Sequence, residues 1–400
     1  MKKGWQTRPL TEVCEIKPPK SEARERVAAS TLVSFAPMED LGIDRKFLNA
    51  SQTKPLASVV GSYTYFADGD VLLAKITPCF ENGKLGIATG LSNGIGFGSS
   101  EFIVFRPSAS LDKEFLYYFL ARPEFRAEGA ARMGGAVGQQ RVPREFIESY
   151  RISVPPLPEQ QRIVGLLDEA FAGLVTARAN AEKNLHNARA LFESHLQSVL
   201  RNRKWKWKTL GELCDDVEYG SSAKSKKEGK VPVLRMGNIQ DRQLDWENLV
   251  YTDDKEEIEK YLLKHNDVLF NRTNSPELVG KTAIYKSEMP AIFAGYLIRI
   301  HRKEELLDAD FLCYFLNSQI AFDYGKTVVI SSVNQANING TKLKSYPIPA
   351  PSLSEQKAVV AKLDALSEET QRLACVYERK LAALASLKKS LLHQAFTGEL

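Results

Sequence analysis

The feature that most constrains this chain is an internal repeat, because two copies of one sequence must build two copies of one fold. LDKEFLYYFL at 111–120 returns as LDADFLCYFL at 307–316, 196 positions later, with seven of ten residues identical. The same offset lays YRISVPPLPEQQRIVGLLDEA, from Tyr150, over YPIPAPSLSEQKAVVAKLDAL, from Tyr346. Tyr150, Ile152, Pro155, Leu157, Glu159, Gln160, Val164, Leu167 and Asp168 all recur. With small insertions, Asp70, Val71 and Leu72 match Asp267, Val268 and Leu269, Gly83 and Lys84 match Gly280 and Lys281, and Trp5, Leu10, Glu12 and Cys14 match Trp205, Leu210, Glu212 and Cys214. The 400 residues therefore divide into four pieces: variable domains at 1–154 and 201–350, and long segments at 155–200 and 351–400.

The joints explain the long segments. SVPPLP and IPAPSLS interrupt any strand or helix, and Pro158 or Ser354 just before Glu-Gln suits a helix start, so helices should begin near 158 and 354. Apolar residues then fall at Ile163, Leu167, Ala170, Leu174, Ala177, Ala181, Leu185, Ala188, Phe192 and Val199, and at Val359, Leu363, Leu366, Leu373, Tyr377, Leu384, Leu387 and Leu391. Such a helix extends about 60 Å and its narrow stripe is unstable alone in water. A dimerisation coiled coil or a core helix would satisfy one stripe. Two matching helices, each after a matching domain, more simply pair antiparallel in one chain with pseudo-twofold symmetry.

Inside the variable domains, LASVVGSYTYF, GDVLLAKI, EFIVFRP, VPVLRMGNI, NDVLFNR and YLIRIHR read as strands, and LDKEFLYYFLA and LDADFLCYFLN as helices, giving mixed α/β (α+β) domains. GDVLLAKITP and NDVLFNRTNS each place a polar run straight after an apolar strand. Lys75, Thr77, Asn271, Arg272, Thr273 and Asn274 should then lie on a loop at one rim, where such side chains suit phosphates and base edges. A solvated turn is the alternative. The second candidate is RMGGAVGQQRV against VISSVNQANI: Gln139, Gln140 and Arg141, or Ser332, Asn334, Gln335 and Asn337, offer amide forks with no carboxylate to repel phosphate. Arg132, Arg141 and Arg144 could hold phosphates, Lys84 and Lys281 recur beside the rim, and RNRKWKWK with Lys224, Lys226, Lys227 and Lys230 is the densest positive cluster. A basic linker can also be simply solvated.

Signatures of catalysis are weak. The GKT at Gly280 lacks the glycine that a phosphate-binding loop needs at 275 and carries Pro276 inside it, and G-I-G-F-G at 94–98 has the wrong spacing for a dinucleotide or S-adenosylmethionine site. The histidines (186, 195, 265, 301, 393) show no metal-ligand spacing, and Cys14, Cys79, Cys214, Cys313 and Cys375 form no C-x-x-C pair, so most should be buried, reduced thiols. There is no apolar run of membrane-spanning length and no signal-peptide core, so the chain reads as soluble and cytoplasmic. Lys and Arg (54) barely exceed Asp and Glu (49), and a net +5 leaves any polyanion to be met by local patches.

PLPEQQRIVGLLDE, PSLSEQKAVVAKLD and the terminal HQAFTGEL resemble the repeated regions of the DNA-specificity (S) subunits of type I restriction-modification systems, over the whole chain and in the same order. The resemblance implies two target recognition domains that each read one half of a split, asymmetric site in double-stranded DNA. It implies paired helices that set the gap and dock two modification (methyltransferase) subunits. It implies no catalysis and no cofactor in this chain, with S-adenosylmethionine, ATP and Mg²⁺ on the modification and restriction partners. A coiled-coil adaptor would share the long helices without paired polar loops, and an enzyme would need the motifs missing here.

Overall fold

The computed structural model describes residues 4–332 and 335–400. They form two compact units, one of Met1–Ala181 with Arg379–Leu400 and one of Glu182–Glu378. Each unit therefore takes a piece of both long helices, Leu157–Leu200 and Leu353–Thr397, which start one residue from the expected positions.

Both units are built on the same four-stranded antiparallel sheet. In the first the order is Cys14–Ile16, Phe102–Pro107, Val71–Ala74, Leu85–Ile87; in the second it is Cys214–Tyr219, Leu297–Arg302, Asp267–Asn271, Thr282–Tyr285. The inner strands are apolar on both faces, as Val71, Leu72, Leu73 and Ala74 show, because each face is covered. One cover is the repeated helix, Lys113–Leu120 or Ala309–Leu316, capped by Asp112 or Asp308 and buried almost all round. The other is a second sheet that pairs Leu32–Ala36 with Ile95–Gly98, or Val231–Leu234 with Ile292–Phe293, in parallel. The two halves thus diverge in side chains while keeping sheet order.

Three expectations need correction. LASVVGSYTYF is not one strand: after Pro55, Leu56–Val59 makes a helical turn that buries Leu56 and Val59, and only Thr64–Ala67 is extended. VPVLRMGNI is not one strand: Val231–Leu234 is extended, Met236–Asn238 is a 3-10 turn, and Ile239–Gln240 is a separate two-residue strand. The helical stripe also drifts, since a 3.6-residue turn does not keep a 3.5-residue seam. Leu387 is exposed, while Leu196, Leu200, Leu392, Ala395 and Phe396, off the expected stripe, are buried alongside Ile163, Leu167, Ala181, Ala188, Phe192 and Leu363, which lie on it.

Within the first unit, Ile163, Val164 and Leu167 from the start of one helix meet Leu392, Ala395 and Phe396 from the end of the other, and both sets join the domain core. Within the second unit the ends are exchanged: Phe192, Leu196 and Leu200 meet Leu363, flanked by Val359, Val360 and Leu366. The pairing is antiparallel in each. Here Phe396 packs on Phe115 and Phe119, at ring separations of 4.9 and 5.4 Å. The long helices are therefore core elements at their ends, and between them most positions are exposed, with Ala181, Ala188 and Thr370 buried. No described helix is long and apolar enough to cross a membrane.

The Glu-Gln of each joint fastens helix to domain. Gln160 is fully buried; its Oε1 accepts the Asp112 N–H at 2.7 Å, and its Nε2 donates to the carbonyls of Ser110 at 2.9 Å and Pro155 at 2.8 Å. Gln356 repeats this with Asp308 N–H at 2.8 Å and the carbonyls of Leu306 at 2.8 Å and Pro351 at 3.0 Å. Two turns on, the Tyr118 hydroxyl donates to Asp168 and that of Tyr314 to Asp364. Burial and the carboxylate acceptor push both phenols well above the usual tyrosine range.

Replacing Gln160 or Gln356 by Leu orphans one N–H and two carbonyls in a buried site, and should cost about 3 kcal/mol or more. Denaturant unfolding of the full chain is the measurement. A transition unmoved in either variant would show that the amide does not hold the joint.

Candidate nucleic-acid interface

In the first unit the strand Val71–Ala74 runs out into Lys75–Thr77, and the glycine-rich segment folds back onto it. Ile76 and Arg141 form an antiparallel bridge, as do Gly134 and Arg141, which makes 134–141 a tight loop turned by Gly135 and Gly138 at positive φ. Thr77 binds the Gln140 carbonyl through its N–H at 3.0 Å and its hydroxyl at 3.2 Å, and Val142 N–H donates to Lys75 O at 2.9 Å. The two segments singled out in the sequence therefore meet. At the tip of the loop Val137 is 99% exposed.

A third segment completes the patch. Lys75 N–H donates to Glu101 O at 2.9 Å, and the Glu101 carboxylate accepts from Arg141 Nε at 3.0 Å and Nη2 at 2.8 Å, with Lys75 Nζ at 4.0 Å. The hydrogen bond from Arg141, helped by the charges of Lys75 and Arg141, outweighs desolvation and holds Glu101 below the usual glutamate range. The loops are thus not free of acid, as their own residues suggested. The acid arrives from the strand-pairing neighbour, and EFIVFRP carries a glutamate at its first position as the available signal.

The second unit brings the equivalent pieces together differently. Thr273–Asn274 pairs with Gln335–Asn337, which pairs with Ile330–Ser332, in a three-stranded sheet. Arg272 N–H donates to Tyr296 O at 3.1 Å, the place of Glu101 in the first unit. The Arg272 guanidinium lies 4.8 Å from the Tyr219 ring centroid and donates to Gly295 O at 3.2 Å and Asn337 Oδ1 at 3.3 Å, while Asn337 Nδ2 donates to Thr273 Oγ1 at 2.8 Å. Tyr219 hydroxyl in turn accepts the Gly340 N–H at 2.7 Å. Tyr219 and Tyr296, both exposed, were missed in the sequence because each stands beside a strand whose partner is distant in the chain.

The remaining candidates fall in several places. Asn271 is not on the rim: the strand runs one residue further, through Asn271 N–H to Lys281 O and Gly280 N–H to Asn271 O, both 2.8 Å, and the side chain is fully buried with neither polar atom hydrogen-bonded to a described residue. Thr273 is likewise buried by its strand pairing, whereas Asn274 is half-buried and its Oδ1 accepts the Ser275 N–H. Lys84 is tied to Met38 O at 2.8 Å and Lys281 to Gln240 Oε1 at 3.4 Å. Arg132 is exposed with its guanidinium 5.0 Å from the Phe146 ring centroid, and Gln139 and Gln335 are exposed. Ser332 pairs through its backbone with Gln335, and Asn334 lies outside the described residues. The basic run at 201–208 is exposed apart from Trp205, which is half-buried. Among the described residues no cluster of three potential metal ligands occurs.

The family described as type I restriction modification DNA specificity domain matches residues 2–183 and again 202–376. Among curated proteins, the EcoEI type I specificity subunit of Escherichia coli is 25% identical over 90% of this chain and 77% of its own length. A second, the EcoKI specificity subunit of Escherichia coli strain K12, is 24% identical over 74% of this chain and 68% of its own. Among solved structures, a chain from work on complex assembly and conformational transition of the type I R-M system superposes with a TM-score of 0.80 at 20% identity, covering 100% of this chain and 99% of that one. The HsdS subunit from Thermoanaerobacter tengcongensis gives 0.68 at 20% identity, covering 100% and 98%.

Arg141→Gln removes the main cause of the lowered Glu101 titration, so the carboxyl should climb back toward the usual glutamate range. In the unaltered chain the ion pair is present at neutral pH and lost as pH falls through the lowered value. Carbon-13 NMR of glutamate-labelled protein would read both, and an identical Glu101 titration in the variant would mean that Arg141 does not hold it.

Proposed function

Since the chain belongs to the type I restriction-modification DNA specificity family, we propose that each of its two units reads one half of a split, asymmetric site in double-stranded DNA through the patch described above. The chain is the DNA specificity subunit of such a system, with two target recognition domains and no catalysis or cofactor of its own. The observation that carries the finer reading is that the same three segments converge in both units, around Lys75, Glu101 and Arg141 in one and Arg272, Tyr296 and Asn337 in the other. Equal position argues for equal role, and unlike side chains argue for unlike sequences.

On this reading the recognition domains are 1–154 and 201–350, with Lys75, Thr77, Arg132, Gln139, Gln140, Arg141, Arg272, Asn274, Gln335 and Asn337 closest to DNA. Thr273 and buried Asn271 support the patch from behind. Lys84, Lys281 and Ser332 flank it, and Asn334 lies outside the described residues. The long helices, 155–200 and 351–400, set the unspecified gap and dock two modification subunits, which supply S-adenosylmethionine chemistry. Restriction subunits add ATP-driven cleavage with Mg²⁺, and the assembly works in the cytoplasm, where the DNA is. Two half-sites, at about 1–3 kcal/mol per mismatched pair, jointly reach a selectivity that neither has alone, and a tether makes the second engagement effectively intramolecular.

Methylome sequencing of a host carrying the complete system should return a split, non-palindromic motif, and a palindrome would contradict the reading. Exchanging residues 201–350 for those of another family member should replace one half-site and leave the other intact. The chain alone, with DNA, Mg²⁺ and S-adenosylmethionine, should neither cut nor methylate; either activity would overturn its assignment as a pure recognition subunit.

A further inference from the structure

Arg141 is the obvious guanine reader of the first unit, yet its fork is already engaged. Of its five N–H groups, Nε and one on Nη2 bind Glu101, and one on Nη1 binds the Gln139 carbonyl at 3.1 Å. Of the two that remain, one lies on each Nη, so only the end-on edge could still be offered, and the Nε–Nη2 edge is filled by the carboxylate. A bidentate grip on guanine O6 and N7 through that edge would require breaking the pair. Glu101, in contrast, has acceptor capacity to spare. Two of its roughly four lone-pair sites face Arg141, its side chain is 21% exposed, and Lys75 sits 4.0 Å away.

A carboxylate on a DNA-facing surface is repelled by phosphates, and two neighbouring cations offset that cost while leaving this partly exposed carboxylate lone pairs that no partner fills. We propose that Glu101 is a specificity-determining residue of the first unit, accepting a hydrogen bond from the exocyclic amino group of a cytosine in the major groove, with Arg141 as the positioning residue that holds it. Cytosine shows N4–H₂ there without an adjacent acceptor. Adenine sets N7 beside its amino group, and guanine and thymine show acceptors, so a carboxylate disfavours all three. The inference rests on the proposed reading of this patch as the DNA interface. In the second unit the equivalent main-chain position is held by Tyr296, whose hydroxyl can donate as well as accept, so the selectivity of an acceptor-only carboxylate belongs to one half-site only.

The experiment uses the complete modification assembly, S-adenosylmethionine and a DNA library randomised through the half-site of the first unit, read by methylation mapping. Glu101→Gln turns its carboxamide oxygen to Arg141 and presents an amine outward. Discrimination in favour of cytosine should fall about tenfold to a hundredfold at one position, with the other half-site and the gap unchanged. Arg141→Gln, by releasing Glu101, should blunt the same cytosine preference in part and weaken methylation of all sites, whereas a merely structural role would leave the preference intact. Thermal unfolding of both assemblies serves as the folding control, and Gln140→Ala tests the interface independently. If Arg141→Gln instead erases a guanine preference and Glu101→Gln changes no position, Arg141 is the reader and the proposal is wrong. If Gln140→Ala alters the half-site and Glu101→Gln does not, the interface stands and the role of Glu101 falls. If no variant alters any half-site, both fall together.

Discussion

The structure depends on a buried carboxamide. Gln160 and Gln356 each sit at the start of a long helix and hold, with three hydrogen bonds, the N-terminus of the domain helix and the proline-rich turn that precedes their own helix. No other side chain of that size both accepts and donates without charge. Glutamate would bury a charge, and leucine would strand three backbone groups. The amide therefore fixes the angle at which a domain meets its helix. The Tyr118–Asp168 and Tyr314–Asp364 contacts, two turns further along, hold the rotation about it. This is why Pro, Glu, Gln and Asp recur in the joints while the loops around them differ.

Much of this was legible in the sequence because it is periodic or local. The repeat predicted two like domains, and the proline runs placed the helix starts within one residue of Leu157 and Leu353. Even the two candidate reading segments of each half, chosen for composition alone, do come together. What was not legible is non-local. Asn271 followed an apolar strand and looked like the first loop residue, but pairing with Lys281, ten residues on, draws it into the core. Glu101, Tyr219 and Tyr296 carry no motif. Their position at the patch follows from which strand lies beside which, and side-chain periodicity does not state sheet order.

Electrostatics gives the small net charge a physical sense. With 54 basic against 49 acidic residues the net charge is small, so any hold on a polyanion rests on local patches. Within the first patch the same restraint is repeated at close range, where Lys75 and Arg141 are balanced by Glu101. In the second, the charge of Arg272 is met by the Tyr219 ring face, a carbonyl and an amide rather than by an acid. Both arrangements spend cationic groups on fixing neighbouring side chains. That sacrifices some attraction to phosphate and gains oriented donors and acceptors, which is the exchange a selective reader needs.

The two patches also show how recognition can vary without disturbing the frame. The bonds that assemble them are made by the main chain: Lys75 N–H to Glu101 O and Val142 N–H to Lys75 O in one unit, Arg272 N–H to Tyr296 O and Ile338 N–H to Arg272 O in the other, all between 2.9 and 3.1 Å. None of these needs a particular side chain. A substitution at 75, 101, 141, 272, 296 or 337 changes what the patch presents to solvent, while the main-chain convergence of the three segments persists. Buried partners beneath, such as Val142 and Ile338, absorb the packing requirement. Frame and reading chemistry are thereby carried by different atoms of the same residues, so two halves of one duplicated chain can keep one architecture and present unlike surfaces.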